Sequence, residues 1–435
     1  MKVQTHDLAE INELAILVGF RTKNEKLTPA QLEYSMEEMV RLAETAGVKV
    51  ADQITQTKDS IDAALLIGKG KAEEVKVLVD THQANVVIFD HELSGAQVRN
   101  LEKILDAKII DRTQLILDIF SQRARTSEGN LQVELAQLNY LLPRLSGHGV
   151  NLSRLGGGIG TRGPGETKLE TDRRHIRDRI SDLKHQLEDV VRHRHLHRER
   201  RKKNGAVQVA LVGYTNAGKS TLLRQMTNAD VLVENQLFAT LDPTSRHLEL
   251  PGGKEIILTD TVGFIQQLPH SLIAAFRATL EEVCEADLLL HVVDSTSPMM
   301  AEQIDVVNKV LEQLGAHQKP QLLLFNKIDE CPATRFVELN GYGDSIRMCA
   351  YNENDLNRLM QIVEKNLKSE RTWFKIPMAN GALHALVHRV GEVKEQRLDE
   401  EYIYYLVEID SNVYPMHRAQ LENVIVAEAP ELDGE

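Results

Sequence analysis

The chain has 435 residues, of which 42% are hydrophobic and 26% charged, with a formal net charge of −13. This length favours roughly two to four domains, and the composition is that of a globular protein. The first ten residues lack the basic and apolar segments of a secretory signal. No apolar run reaches the ~18–20 residues that span a bilayer. The three cysteines have no paired spacing, which predicts reduced thiols. We therefore expect a cytoplasmic protein, with peripheral membrane association of a fraction left open.

The N-terminal segment, residues 1–110, alternates strand-like and helix-like patterns. Its short apolar runs are typical of buried parallel strands, and the segments between them have helical spacing. We predict a small α/β domain with a parallel sheet. The predicted strands are 15–20, 65–68 and 85–89, and the predicted helices are 28–46 and 71–81.

The next segment, residues 111–203, is predicted to contain an antiparallel helical hairpin. Apolar residues recur at alternating spacings of four and three over residues 131–145 and again over residues 176–190. Two such seams of equal length, joined by a glycine-rich segment, indicate two helices that fold back on each other. Independent packing of each helix on a globular core stays open as an alternative.

The tip of this hairpin, residues 144–165, holds eight glycines, three arginines and no acidic residue. Glycine permits close approach and arginine pairs with phosphate, so the tip suits an RNA surface, with a disordered linker as the alternative. Residues 171–203 carry twelve Lys/Arg against six Asp/Glu, which leaves −19 for the rest of the chain. A local basic face of this kind can bind phosphate. The candidate RNA contacts are Arg144, Arg154 and Arg162.

Residues 204–369 are predicted to form a P-loop GTPase domain. An apolar strand at 207–212 runs into GYTNAGKS, residues 213–220, which is the pattern GxxxxGK[ST] followed by a helix-forming stretch. The glycines let backbone N–H groups surround the β-phosphate at a helix N-terminus. Lys219 then reaches the β- and γ-phosphates, and the Ser220 hydroxyl binds Mg²⁺.

Two further segments predict the switches that sense the γ-phosphate. Asp260 opens the sequence DTVG after a second apolar strand, where its carboxylate can hold Mg²⁺ through water, and the Gly263 N–H can meet the γ-phosphate. Between the P-loop and this motif lies FATLDPT, residues 238–244, whose threonines can bind Mg²⁺ and the γ-phosphate while GTP is present. Such loops are ordered by the γ-phosphate and released on hydrolysis.

Base identity is predicted from NKID, residues 326–329, which follows the apolar strand 322–325. The Asp329 carboxylate can accept both guanine donors, so ATP should be rejected by about a hundredfold or more. A final base-contacting motif would read Ser-Ala, whereas this chain has Cys349 and Ala350. This departure leaves the Cys349 contact open but keeps the Ala350 N–H.

Two positions bear on turnover. Phe264 occupies the place where Ras-like enzymes carry a water-orienting glutamine, so we predict slow intrinsic hydrolysis that needs a partner or another group. Asn216 lies where potassium-stimulated GTPases carry an asparagine, which predicts a K⁺ ion there, or else a hydrogen bond within the loop.

The predicted site residues are thus drawn from five short motifs. The predicted GTP-binding residues are Gly213, Tyr214, Thr215, Asn216, Ala217, Gly218, Lys219, Ser220, Thr221, Phe238, Ala239, Thr240, Leu241, Asp242, Asp260, Thr261, Val262, Gly263, Asn326, Lys327, Ile328, Asp329, Cys349, Ala350 and Tyr351.

The last segment, residues 370–435, is predicted to be a small α+β domain with a strand at 402–409 and an acidic tail. It contains the single tryptophan, Trp373. We find no motif in this segment that indicates a particular reaction or ligand.

Together these motifs resemble the HflX family of bacterial translational GTPases. The resemblance covers about residues 15–369 and rests on RLGGGIGTRGPGET at 154–167, GYTNAGKST, FATLDPT, DTVGF and NKID. It selects Thr240 over Thr244 as the Mg²⁺ ligand, and implies Lys219, Thr240 and Gly263 as the catalytic set. It further implies a GTPase that binds the large ribosomal subunit, rescues stalled ribosomes by splitting them, and points its hairpin toward the peptidyl-transferase region. Separately, we expect the protein to be a monomer.

Two other functions remain as hypotheses at this stage. A regulatory switch that binds a protein effector would explain the GTPase motifs equally well but would leave the basic hairpin without a role. A second nucleotide site in the N-terminal domain would rest on GKGK, residues 68–71, which is half of a P-loop and more typical of a solvated turn.

Overall fold

The structure is a computed structural model, and it describes most of the chain. Two compact units, Met1–Met360 and Gln361–Glu435, are each described by themselves. No helix within the described residues is long and apolar enough to cross a membrane. The described residues are 13–24, 28–145, 164–203, 207–227, 237–266, 280–343, 345–367, 371–399, 401–409 and 414–426.

The first unit begins with the predicted α/β domain. Its four strands pair in parallel in the order β2-β1-β3-β4. The inner strands are almost fully buried because helices cover both faces of the sheet. The elements are β1 (Leu14–Thr22), α1 (Pro29–Thr45), β2 (Lys49–Lys58), α2 (Lys69–His82), β3 (Val86–Phe89), α3 (Gly95–Leu105) and β4 (Lys108–Asp111).

In this domain one predicted strand was wrong and one strand was missed. Strand β2 was missed because it lies at the sheet edge and alternates exposed with half-buried residues, which removes the continuous apolar run of an inner strand. Residues 65–68 are not a strand but a buried loop closed by a bridge between Asp62 and Leu66. The GKGK segment caps and starts α2 after this loop, so the strand that a P-loop requires is missing before it.

The predicted hairpin seam is confirmed. Helices α5 (Ser127–Arg144) and α6 (Pro164–Lys203) pack through a buried apolar cluster, and Arg179 binds Glu134 with two hydrogen bonds of 2.7 Å. The hairpin starts later than predicted, since α4 (Arg112–Arg123) is a separate helix in the core of the α/β domain. The cluster comprises Leu131, Leu135, Leu138, Leu142, Ile176, Ile180, Leu183 and Leu187.

The GTPase domain completes the first unit. Its six-stranded sheet has the order β10-β9-β8-β5-β7-β6, with β6 antiparallel and the other strands parallel. The elements are β5 (Val207–Gly213), α7 (Lys219–Thr227), β6 (Thr244–Glu249), β7 (Glu255–Asp260), α8 (Glu281–Glu285), β8 (Leu288–Asp294), α9 (Met300–Gln313), β9 (Gln321–Asn326), α10 (Phe336–Leu339), β10 (Ser345–Arg347) and α11 (Glu353–Asn366), the last of which runs into the second unit.

The second unit is an α+β domain, as predicted. Its antiparallel sheet has the order β12-β13-β11-β14, and β13 matches the predicted strand at 402–409. Two helices cover one face of this sheet. The elements are β11 (Arg371–Pro377), α12 (Gly381–Val390), β12 (Gly391–Leu398), β13 (Tyr402–Ile409), α13 (Tyr414–Leu421) and β14 (Ile425–Val426).

Candidate nucleotide site

The P-loop lies between the end of β5 and the start of α7, at the carboxyl edge of the sheet. Two of its glycines are required by backbone geometry and space. Gly213 has φ +151°, and a Cβ there would lie 2.2 Å from the Val292 carbonyl oxygen. Gly218 has φ +99°, and its Cβ would lie 2.3 Å from Asn326 Nδ2. Because neither position accepts a side chain, the loop can present backbone N–H groups to a phosphate.

A cavity at this loop collects residues from three of the predicted motifs. The buried Lys219 ammonium donates to the carbonyls of Gly213 at 3.1 Å and Tyr214 at 2.9 Å. Burial lowers the pKa of Lys219 to about 8, and the nearby Asp260 carboxylate only partly offsets this. A triphosphate would add further negative charge beside the ammonium. The lining residues are Thr215, Asn216, Gly218, Lys219, Ser220, Thr221, Phe238, Ala239, Thr240, Thr261 and Gly263.

Three oxygen-bearing side chains meet beside Lys219. The hydroxyls of Ser220 and Thr240 donate to Asp260 Oδ2 at 2.6 and 2.7 Å and lie 2.9 Å from each other. The other carboxylate oxygen, Oδ1, is buried without a hydrogen-bond partner among the described residues. Burial also raises the pKa of Asp260, and the nearby Lys219 only partly offsets this. An all-oxygen set with a spare buried acceptor fits Mg²⁺. Thr244 instead begins strand β6.

The base-recognition motif is tied to the P-loop by two side chains. Asn326 donates to the Ala217 carbonyl at 2.9 Å, and Lys327 Nζ donates to the Asn216 carbonyl at 3.0 Å and to Asp294 at 2.7 Å. Asp329 is exposed and lines a second cavity of about 1200 Å³, with Cys349, Ala350 and Tyr351. This cavity is large enough for a base and ribose.

One expectation about the base pocket needs correction. The Ala350 N–H, predicted to remain available to guanine, donates to Asn326 Oδ1 at 3.0 Å. The backbone N–H of Cys349 is likewise bound, by Asp355 at 2.9 Å. Burial raises the pKa of the Cys349 thiol, and the adjacent Asp329 carboxylate adds to the shift. A base contact at position 349 would therefore come from the neutral thiol.

The opposite wall of the second cavity comes from the N-terminal domain. Helix α1 contributes Tyr34, Glu37, Arg41, Glu44 and Thr45 to the lining. The same helix is fixed to α9 by Gln31, which donates to Glu302 at 2.6 Å. Sequence reasoning missed these residues because they lie far along the chain from every GTPase motif, and their helix carries no nucleotide signature.

The first switch segment packs into the N-terminal domain. Leu237, Phe238 and Leu241 are buried in its core, where the Phe238 ring meets Phe120 edge to face at 4.7 Å. The Asp242 carboxylate accepts hydrogen bonds from the N–H groups of residues 125 and 126 at 2.9 Å, and from the Thr126 hydroxyl at 2.6 Å. The side chains of Leu241 and Asp242 were predicted to bind GTP, but they face the helices of the N-terminal domain.

Thr126 is also the N-cap of α5, since its hydroxyl accepts from the Gly129 N–H at 2.9 Å. Asp242 lies only two residues after Thr240. Its hydrogen bonds therefore connect the switch segment to the first turn of the hairpin. A Cβ at Gly129 would lie 2.6 Å from Asp242 Oδ1, so a small residue is needed at this contact.

A second link joins the P-loop to the N-terminal domain through buried polar groups. The Tyr214 hydroxyl donates to Glu38 at 2.6 Å and accepts from the Gln266 N–H at 2.9 Å. Glu38 also binds the guanidinium of Arg112, which reaches the Gln266 carbonyl at 3.3 Å. These roles of Glu38 and Arg112 were missed, although a charged residue on the apolar face of a helix is itself a signal of a buried partner.

Phe264 and Asn216 are the two residues that were predicted to affect the rate of hydrolysis. The Phe264 ring is buried in the GTPase core at 2% exposure, so it cannot orient water. Asn216 is exposed at the edge of both cavities with φ 61°, and its K⁺ role stays a prediction.

Arg144 does not face outward: its guanidinium lies 3.5 Å from the Tyr140 ring centroid and donates to Asp111 at 2.9 Å. We correct its assignment as an RNA contact. Arg154 and Arg162 lie outside the described residues.

Family models match the N-terminal, middle and GTPase segments of the chain. The family described as 50S ribosome-binding GTPase matches residues 208–327. The families described as GTP-binding GTPase N-terminal and GTP-binding GTPase Middle Region match residues 33–121 and 123–201.

Similar curated proteins extend over nearly the full chain. GTPase HflX of Caldanaerobacter subterraneus subsp. tengcongensis is 50% identical over 425 residues, which is 97% of this chain and 96% of that protein. GTPase HflX of Escherichia coli K12 is 42% identical over 401 residues, 91% of this chain and 93% of that protein. A GTP-binding protein from Sulfolobus solfataricus, solved with GDP, aligns at TM-score 0.43 and 23% identity over 81% of this chain and 98% of its own. The chain belongs to the HflX family of GTPases.

Proposed function

We propose that this GTPase binds the large ribosomal subunit and uses the state of its bound nucleotide to split or rescue stalled ribosomes. The proposal rests on the hydrogen bonds that Asp242 accepts from the first turn of the helical hairpin. These bonds connect the loop that senses the γ-phosphate directly to the element best suited to binding RNA. The family match to residues 208–327, described as 50S ribosome-binding GTPase, supports the same partner.

The charge along α6 supports RNA contacts at one end of that helix. Residues 171–192 carry six Lys/Arg and five Asp/Glu, whereas residues 193–203 carry six and one. The part of α6 that packs on α5 is thus nearly neutral, and the positive charge is concentrated toward the end nearer the GTPase domain in sequence. Together with Arg154 and Arg162 at the tip, this end would supply the phosphate contacts.

The nucleotide chemistry follows from the residues around the phosphate cavity. Ser220, Thr240 and Asp260 would hold Mg²⁺, and when bound it would neutralise charge on the β- and γ-phosphates. Lys219 would move from the loop carbonyls to the phosphates. The Gly263 N–H would donate to a γ-phosphate oxygen. Hydrolysis transfers the γ-phosphoryl group to water and yields GDP and phosphate.

Turnover should be slow until a partner assists it. The Phe264 side chain is buried and has no polar atom, so the water must be oriented by another group. A K⁺ ion at Asn216 and the ribosome are the two candidates. Loss of the γ-phosphate would release Thr240, and the movement would reach α5 through Asp242 because the two residues are neighbours in one short loop.

The test is binding and splitting of ribosomes by the full chain. With a non-hydrolysable GTP analogue, we expect co-sedimentation with large subunits that weakens by about 10³-fold or more between low and moderate salt if six or more phosphates are contacted. Light scattering should fall as intact ribosomes separate. Lys219→Ala, which should lose nucleotide binding or hydrolysis, is the control for GTP dependence. Binding that hardly changes with salt, or no splitting at any salt, would refute the proposal in favour of a switch for a protein effector.

A further inference from the structure

In the described part of the second unit, both helices pack against the same face of the sheet. Along the chain its elements run β11-α12-β12-β13-α13-β14, and the sheet order places β11 and β13 in the centre. The residues of these strands that join the helical core alternate with the ones that do not: Phe374, Ile376, Tyr405 and Val407 are in the core. Side chains of the intervening residues must point to the opposite face.

That opposite face collects aromatic rings and cations. We call Trp373, Lys375, Arg397, Tyr402 and Tyr404 the aromatic face. Tyr404 is buried at 5% exposure, and the other four side chains are partly exposed. Lys375 and Arg397 are both directly opposite Tyr404 in the strand register, which puts the three side chains in one row across the sheet. Lys375 Nζ lies 4.0 Å from the Tyr402 ring centroid and 5.6 Å from that of Tyr404. The Arg397 guanidinium lies 5.1 Å from the Trp373 ring centroid.

The charge on the sheet limits where a ligand can lie. Glu395 binds Arg397 Nε at 2.7 Å, and Glu408, which lies opposite Glu392, is 3.4 Å from Lys394. These carboxylates occupy the other end of the same face, away from Tyr402. This side of the sheet therefore has a cationic half, which is the aromatic face, beside an acidic half, and an anionic ligand would fit only the cationic half.

Single-stranded nucleic acid matches this combination of groups. Its bases can stack on rings such as those of Trp373 and Tyr402, while Lys375 and Arg397 can pair with phosphates. A four-stranded antiparallel sheet with helices on one face and aromatic side chains on the two central strands is the arrangement that RNA-recognition modules use. Trp373 and Tyr402 lie outside the helical core and are partly exposed, so they are the two rings that a base can reach.

We infer that the aromatic face binds single-stranded RNA by base stacking. This is a second RNA site, separate in sequence from the hairpin, and it does not depend on the ribosome-splitting proposal. Its chemistry predicts little sequence preference, because every base has a face that can stack.

The single tryptophan gives a direct readout in the full-length protein. Titration with a single-stranded RNA of about eight nucleotides should quench the fluorescence of Trp373 in a saturable way, since a stacked base contacts the indole. The matched duplex and heparin are the comparison ligands: the duplex keeps its bases paired, and heparin has charge but no bases.

Variants on the two faces of the sheet separate stacking from folding. Tyr402→Ala should weaken the RNA affinity read from quenching by about tenfold, and Lys375→Gln should lower its salt dependence. Tyr405→Phe, on the core face of the same strand, should leave the affinity unchanged. Circular dichroism and thermal unfolding verify that each variant is folded.

The inference is overturned if RNA binds without quenching Trp373, or if duplex RNA or heparin quenches it as well as single strands do. An unchanged affinity in folded Tyr402→Ala would also overturn it. The ligand in this experiment is an oligonucleotide and not a ribosome. A failure to split ribosomes would therefore not affect the result for the aromatic face, and a failure to bind the oligonucleotide would not refute ribosome splitting.

Discussion

Replacing Asp242 with alanine should uncouple the switch from the helical hairpin. The substitution removes the acceptor of three hydrogen bonds at the first turn of α5 and leaves the Ser220, Thr240 and Asp260 side chains in place. We therefore expect GTP affinity to change little, while stimulation of hydrolysis by ribosomes is largely lost. Asp242→Asn keeps one carbonyl acceptor and should lie between the two.

The expected loss of unfolding free energy in Asp242→Ala depends on how exposed this contact is to water. Hydrogen bonds to a charged group contribute about 1.5–3 kcal/mol each where water is excluded, but water can replace Asp242 at this exposed helix start. The loss should then resemble removal of a helix cap, about 1–2 kcal/mol of unfolding free energy. A loss of this size corresponds to roughly a 5- to 30-fold change in any equilibrium that depends on the contact.

The assay is a double-mutant cycle with Thr126→Val, measured by urea unfolding and by ribosome-stimulated GTP hydrolysis. The 2.6 Å bond between the two side chains predicts a coupling of about 0.5 kcal/mol or more. Asp305→Ala, which removes an exposed carboxylate from α9, is the matched control. Additive effects, together with normal ribosome stimulation in Asp242→Ala, would refute the coupling.

Three further substitutions test other parts of the account. Asp329→Asn should shift preference from guanine toward xanthine nucleotides, as competition binding can measure, and retained GTP selectivity would contradict the base assignment. Glu38→Ala leaves a buried guanidinium unpaired and should lower the unfolding free energy by about 3–5 kcal/mol, whereas the exposed neighbour variant Glu37→Ala should cost under ~1 kcal/mol. Equal losses of unfolding free energy in these two variants would contradict the role of Glu38 as the buried partner of Arg112. Charge reversal of Arg154 and Arg162 should weaken binding to large subunits and flatten its salt dependence without changing GTP affinity; unchanged ribosome binding would remove the tip from the proposed contacts.

The nucleotide site was largely predictable because its chemistry depends on local spacing. The motifs around Gly213, Asp260 and Asn326 each follow a buried parallel strand, and such strands end at the same edge of the sheet. Their convergence therefore follows from the topology. The seam of the hairpin was predictable for a similar reason, since heptad spacing on two consecutive helices specifies which faces meet.

The contacts between the N-terminal and GTPase domains were not predictable from spacing. Glu38, Arg112 and Tyr214 lie in three distant segments of the chain, and only the tertiary fold brings them together. Asp242 was assigned to the nucleotide because it lies in a switch motif, yet its carboxylate reaches a helix cap more than 100 residues earlier. Arg144 was judged by its place in a basic segment, but it ends a helix whose last turn packs against Asp111.

The most direct test of the central claim is the GTPase rate of the full chain with and without purified ribosomal subunits, in K⁺ and then in Na⁺ buffer. We expect a slow basal rate, because no polar group stands at position 264, and a rise of an order of magnitude or more with large subunits. A faster rate in K⁺ than in Na⁺ would support an ion at Asn216. A rate that no subunit changes, in either buffer, would contradict the proposal that this GTPase acts on the ribosome.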